Sequence, residues 1–189
     1  MDIAVTQWIN ASAGSNAMLD TIIIALTQYG VPLLVLLVIQ QWWSTHDRPH
    51  VRHTCVTAGL SFFVGLGLNQ LILLFVHRVR PYDAGVSHLI ISRSSDWSFP
   101  SDHATATFAI ATGFLLHGFR RRGFALLSGT FLIGLSRIYV GTHYFGDVLG
   151  GSVTGVIAAA AVSELDWEGT RLDRLVSNIL QAGAELALR

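Results

Sequence analysis

The stretch MLDTIIIALTQYGVPLLVLLVIQQWW, residues 18–43, decides what kind of fold this chain adopts. It exceeds the ~20 apolar residues that a helix needs to cross a bilayer core of about 30 Å. Trp42 and Trp43 close it as an interfacial aromatic pair. Pro32, near its middle, predicts a kink whose freed carbonyl neighbouring helices must satisfy. The whole composition agrees. Of 189 residues, 51% are hydrophobic and 13% charged, with a mean hydropathy of +0.51, whereas a soluble domain carries about 25% charged residues.

Twelve basic residues, all arginine, balance twelve acidic ones. Zero net charge argues against a nucleic-acid binder that neutralises many phosphates. The single cysteine, Cys55, excludes an intrachain disulfide and reads as a buried structural thiol. Asp2 stands where a cleavable signal would be positive, so the first span is expected to act as its own insertion signal.

Working outward, residues 1–17 are mildly amphipathic and too short to span, and predict an interfacial helix and loop. A polar connector, 44–53, precedes a second span over 54–76. That span carries Gly59, Gly65 and Gly67 for close helix approach. Its Asn69 and Gln70 are costly in lipid and expected to face the bundle interior. A polar loop over 77–100 leads to a third span over 101–119, ended by Arg120-Arg121-Arg122. A fourth runs over 123–139 and a fifth over 143–162. Beyond it Trp167, Leu172, Leu175, Val176, Ile179 and Leu180 recur at helical spacing, an amphipathic helix on the membrane surface. The expected fold is an all-α integral membrane bundle of about five transmembrane helices. An N-terminal interfacial helix and a C-terminal amphipathic helix flank it, all one domain.

Arginine placement orients the bundle. Arg48, Arg52, Arg120, Arg121, Arg122, Arg171, Arg174 and Arg189 fall on one face, which the positive-inside tendency makes cytoplasmic. Arg78, Arg80, Arg93 and Arg137 fall on the other, extracytoplasmic face.

Three chemistry-bearing stretches, residues 77–82, 99–104 and 136–147, converge on that second face. The richest is Ser136-Arg137-Ile138-Tyr139-Val140-Gly141-Thr142-His143-Tyr144-Phe145-Gly146-Asp147. If the chain is helical from His143, then His143 and Asp147 share a face at i and i+4. The carboxylate would then fix the imidazole tautomer and leave the other nitrogen basic, as a nucleophile requires. Pro100-Ser101-Asp102-His103 has the pattern of a helix start, whose backbone N–H groups form a phosphate cradle. His103 sits there as a candidate general acid. Arg80 and Arg137 supply forked donors for phosphate oxygens. The assembly suits phosphoryl transfer. The cluster His46-His50-His53 lies on the opposite face without a thiolate, so no metal site is expected there. Serine-hydrolase and P-loop patterns are absent.

These residues resemble the type 2 phosphatidic acid phosphatase superfamily, whose signature is Lys-x6-Arg-Pro, Pro-Ser-Gly-His and Ser-Arg-x5-His-x3-Asp. The third part matches fully at Ser136, Arg137, His143 and Asp147. The second matches with Asp102 in the glycine's place, and the first matches at Arg80-Pro81 with Leu73 at the lysine position. The resemblance implies His143 as nucleophile through a phosphohistidine, Asp147 as its partner and His103 as general acid. It implies phosphate binding by Arg80, Ser101, Asp102 and Arg137, and no metal or other cofactor. Arg78 or Asn69 could replace the lost lysine contact, with Asn69, Leu73 and Arg80 on one helix face. The short chain and the Phe-Pro-Ser-Asp-His form resemble the bacterial branch acting on undecaprenyl pyrophosphate. A lipid monophosphatase is the alternative enzyme, and a non-catalytic lipid or anion transporter the alternative of another class. The expected partners are a lipid phosphate and the surrounding membrane lipids.

Overall fold

A computed structural model describes residues 1–165 together with positions 174, 175, 178 and 179. Among the described residues the chain forms α-helices and no strand: α1 (Asp2–Asn10), α2 (Ala17–Gln41), α3 (Arg48–Leu73), α4 (Asp102–Leu116), α5 (Arg120–Tyr139) and α6 (Phe145–Leu165). Most of the amphipathic helix expected after residue 165 lies outside the described residues; Arg174, Leu175, Asn178 and Ile179, which are described, are helical and exposed. Among the described residues three helices, α2, α3 and α6, are long and apolar enough to cross a membrane. α4, of 15 residues, is sandwiched between α3, α5 and α6.

Several boundaries differ from expectation for identifiable reasons. α3 begins at Arg48, six residues before the hydropathic run, because Pro49 in its first turn is pre-set for helix. α2 carries Pro32 within one continuous helix, and the Asn16 side chain caps it by accepting from Met18 and Leu19 N–H. Cys55 is half-buried, its thiol donating to the Val38 carbonyl at 3.5 Å.

Small residues set the packing around α4. A Cβ at Gly155 would run into the Thr105 carbonyl oxygen and come 2.9 Å from Ala109 N, and one at Gly151 would strike the Ser101 carbonyl. The α4 and α6 backbones therefore touch where a side chain would otherwise separate them. On the α3 side, a Cβ at Gly65 would come 2.9 Å from Thr105 Cγ2. Gly155→Ala is expected to destabilise the protein by about 1–3 kcal/mol through overpacking, read as a lowered unfolding midpoint in detergent. Buried hydroxyls are satisfied within the helices: Thr54, Ser61 and Thr107 each donate to the carbonyl four residues back. Large apolar side chains such as Leu36, Phe63, Phe131 and Ile157 point outward, as a lipid-facing surface requires.

Connectivity gathers the chemistry at one end. The C-terminal ends of α3 and α5 and the N-terminal ends of α2, α4 and α6 lie on the same side of an up-and-down bundle, joined there by residues 74–101 and 140–144.

Candidate active site

α6 starts at Phe145, not at His143. The reason is Asp147, whose Oδ2 turns back to accept from Tyr144 N at 2.8 Å and caps its own helix. His143 consequently stands in the preceding turn. Its Nδ1 donates to the Ser98 carbonyl at 2.8 Å, while Asp147 Oδ2 is 3.6 Å away. A carbonyl can only accept, so the proton is on Nδ1 and Nε2 carries the lone pair. The tautomer expected from Asp147 is thus fixed by Ser98. Burial holds the His143 imidazole below the usual histidine range. Arg137 and Arg80 push the same way, and the bond to Asp147 opposes them. The ring's Nε2, the lone-pair nitrogen, faces Arg80 Nη1 at 3.4 Å.

Asp147, fully buried, ties the three stretches together. Its Oδ1 accepts from Arg78 Nη1 at 2.7 Å, its Oδ2 accepts from Ser98 Oγ at 2.5 Å, and its backbone carbonyl accepts from Ser101 N at 3.0 Å. Arg78 is therefore not a free phosphate contact. It is divided between Asp147 and Asp2 and stacks 3.8 Å above the Tyr144 ring.

Arg80 is buried and locked. It donates to the Asp96 carbonyl at 2.9 Å, to Asp96 Oδ1 at 2.8 Å and to the Thr142 carbonyl at 3.0 Å. Its Nη1 also lies 3.4 Å from His143 Nε2. Burial works against the Asp96 carboxylate, but the Ser94 hydroxyl and Arg80 together hold its pKa below the usual range.

Arg137 is buried in the last turn of α5. Its Nη1 donates to Thr27 Oγ1 at 3.3 Å, and Nε has no partner among the described residues. Ser101 occupies the N-cap position of α4, yet its side chain caps nothing, and its buried Oγ is also without a partner there. The N–H groups of Asp102, His103 and Ala104 precede the first intrahelical donor, Thr105. His103 lies in the field of Arg137, His143 and Arg80, its ring beside the Thr27 backbone.

Asn69 belongs to a different arrangement from the one expected. α3 ends at Leu73, so Asn69, Leu73 and Arg80 do not share a helix face. The buried Asn69 amide donates to Asp102 Oδ1 at 2.6 Å and to Thr105 Oγ1 at 2.9 Å. Its hydrogen-bonding capacity goes to the Asp102 carboxylate, the departure at the glycine position, rather than to an incoming anion.

The structure thus brings together His143, Asp147, Arg80, Arg137, Ser101 and the α4 N-terminus, and assigns Arg78 and Asn69 to support. Ser98, Asp2 and Thr6 were not expected at the site. Only the place of Ser98, just before the Pro100 motif, could have hinted at it.

Residues 54–171 match the PAP2 superfamily. The chain belongs to that family. Among its relatives, the undecaprenyl-diphosphatase BcrC of Bacillus subtilis (strain 168) is 36% identical over 83% of this chain and 80% of its own length. A putative undecaprenyl-diphosphatase, YbjG of Escherichia coli (strain K12), is 32% identical over 73% and 67%. The crystal structure of Aquifex aeolicus LpxE superposes with a TM-score of 0.65 at 26% identity, covering 86% of this chain and 94% of that one. As a PAP2 superfamily member the protein is a membrane hydrolase acting on phosphate esters.

Proposed function

We propose that this PAP2 superfamily protein removes the terminal phosphate of a lipid pyrophosphate, undecaprenyl pyrophosphate being the substrate named for its relatives. The observation that carries the mechanism is the His143 ring. Its Nδ1–H is committed to Ser98, and its Nε2 lone pair lies beside the guanidinium of Arg80.

In the first step Nε2 attacks the terminal phosphorus and the bridging P–O bond breaks. His103 gives its proton to the departing lipid phosphate. The covalent intermediate is a phosphohistidine, whose positive ring Asp147 supports. In the second step His103 takes a proton from water, water oxygen attacks phosphorus and the P–N bond breaks. Inorganic phosphate and the free imidazole result. Arg80, Arg137 and the α4 N-terminus hold the spread negative charge of the transferred group, and Ser101 Oγ donates a further hydrogen bond. We place α2 to α6 across the membrane, with the site on the extracytoplasmic face, because the arginine-rich connectors lie at the opposite end of the bundle.

The deciding experiment compares phosphate release from purified lipid pyrophosphates and lipid monophosphates, with a rapid-quench trap for an acid-labile, base-stable phosphoenzyme. Preference for the monophosphate would redirect the substrate assignment. Activity is expected to persist in excess EDTA, because protein donors meet each charge of the phosphoryl group; loss on chelation would overturn this. Asp147→Asn keeps an acceptor for Tyr144 N and leaves the Ser98-held tautomer intact. It is expected to lower kcat by about 10²-fold through the lost charge and the lost acceptor for Arg78 Nη1. A fall as deep as that of a nucleophile variant would show that the tautomer depends on Asp147 after all.

A further inference from the structure

Of the apolar side chains of the N-terminal helix α1, Ile9 packs on the Ala104–Ile138–Val148 cluster, but others face outward. Ile3 is 51% and Trp8 79% exposed, whereas the buried residues of α1 are Thr6 and Asn10. Its first turns are fastened by polar bonds that go to the candidate site. Asp2 Oδ1 accepts from Gly146 N at 2.7 Å, and Thr6 Oγ1 accepts from Phe145 N at 3.0 Å. The first amides of α6 are thus capped from another helix, next to the one that Asp147 caps itself. Asn10 fastens the other end of α1, donating to the His88 and Tyr139 carbonyls and accepting from His88 N. A Cβ at Gly146 would lie 3.1 Å from the Asp2 carboxylate and 3.3 Å from Arg78 Nη1, so glycine permits this approach.

Asp2 reaches the site by a second route. Its Oδ2 accepts from Arg78 Nη2 at 2.5 Å, and the other arm of the same guanidinium donates to Asp147 Oδ1 at 2.7 Å. Arg78 is fixed by carboxylates on both sides although nearly a third of its side chain is exposed. Within the Asp2–Arg78–Asp147 cluster two carboxylates outnumber one guanidinium, which leaves one negative charge to set against Arg80 and Arg137, the other charges acting on His143. Without Asp2 the guanidinium would cancel Asp147, and one of its arms would be released.

We propose that Asp2 is a positioning residue. Acting through Arg78 and the first amides of α6, it holds Asp147 in the orientation and charge state that supports His143 as its ring becomes cationic. The inference rests on the reading of His143 as nucleophile given above. Asp2 binds no group of the substrate, so its effect belongs in kcat and not in KM.

The test is Asp2→Asn in the full-length protein, which keeps an acceptor for Gly146 N and removes both the charge and the oxygen that accepts from Arg78 Nη2. With the lipid pyrophosphate as substrate, kcat is expected to fall about tenfold with KM within about twofold of the parent, corresponding to about one pK unit of lost charge support. In an Arg78→Gln background the same change is expected to lower kcat no further, since the route through Arg78 is already broken. Unchanged kcat in Asp2→Asn, or an additive fall in the double variant, would overturn the proposal. So would a lowered unfolding midpoint with kcat per folded molecule intact, the result of a merely structural cap. His143→Ala separates the two readings. If it stays active, both fall; if it is dead and the parent forms a phosphohistidine while Asp2→Asn turns over normally, only the role of Asp2 falls.

Discussion

His143→Ala is expected to abolish turnover, by about 10⁴-fold or more, while the protein remains folded in detergent. The size follows from the double function of the ring. In the proposed mechanism Nε2 is the attacking atom, and the Nδ1 bond to the Ser98 carbonyl orients its lone pair. Neighbouring hydroxyls such as Ser98 Oγ and Thr142 Oγ1 are donors already committed to Asp147 and to the Arg137 carbonyl. The structural cost is small by comparison. Removing the ring leaves the Ser98 carbonyl without its donor, worth about 1 kcal/mol, so the unfolding midpoint drops by only a few degrees. Because Arg80, Arg137 and Ser101 stay in place, inorganic phosphate should still bind the inactive variant. A variant with near-normal phosphate release would eliminate the covalent mechanism. The pH profile offers a second check on the same atom. In the proposed mechanism His143 acts in its neutral form, and burial shifts its titration downward, so kcat/KM should hold as pH falls and decline only below the usual histidine pKa of about 6.5.

Arg80→Ala is expected to cost about 10²–10³-fold in kcat and to raise KM as well, since it withdraws a preorganised donor from the phosphoryl oxygens. The loss has a second component. Arg80 joins the 74–101 segment to the nucleophile turn by donating to Asp96 on one side and to the Thr142 carbonyl on the other. Truncation leaves those acceptors unmet and unpins the turn that carries His143. Arg80→Lys is the informative control. An ammonium restores the charge but cannot reach both acceptors with a planar fork, so it should recover only a minor part of the rate. Near-complete recovery by lysine would mean that Arg80 acts as a point charge, and that its ties to Asp96 and Thr142 contribute little. Both variants are to be compared by phosphate release and by thermal unfolding.

Much of this site was legible because its parts lie in short motifs. Ser136 to Asp147 carries arginine, histidine and aspartate at informative spacing, and Pro100-Ser101 marks a helix start wherever it occurs. Hydropathy located the long runs of α2, α3 and α6. The parts that were not legible depend on pairs far apart in the chain. Ser98 meets His143 across 45 positions, and Asp2 meets Gly146 across 144. Neither pairing leaves a periodicity or a local pattern. The His143–Asp147 spacing misled in one respect: it fits a helical face equally well as a carboxylate folding back to cap Tyr144, and only tertiary packing selects the second. Asn69 was correctly expected inside the bundle, but its partner was not, because the need to hold the Asp102 carboxylate arises only once α3 and α4 are side by side.

The glycines at 151 and 155 have a consequence for the stiffness of the site. They let α6 lie against the backbone of α4, and the first turns of these two helices carry His103 on one side and Asp147 on the other. Backbone packed on backbone leaves little room for one helix start to shift against the other, so the proposed acid and the support of the proposed nucleophile are set on one close-packed pair. α2, which leans chiefly on α5, lies outside that pair.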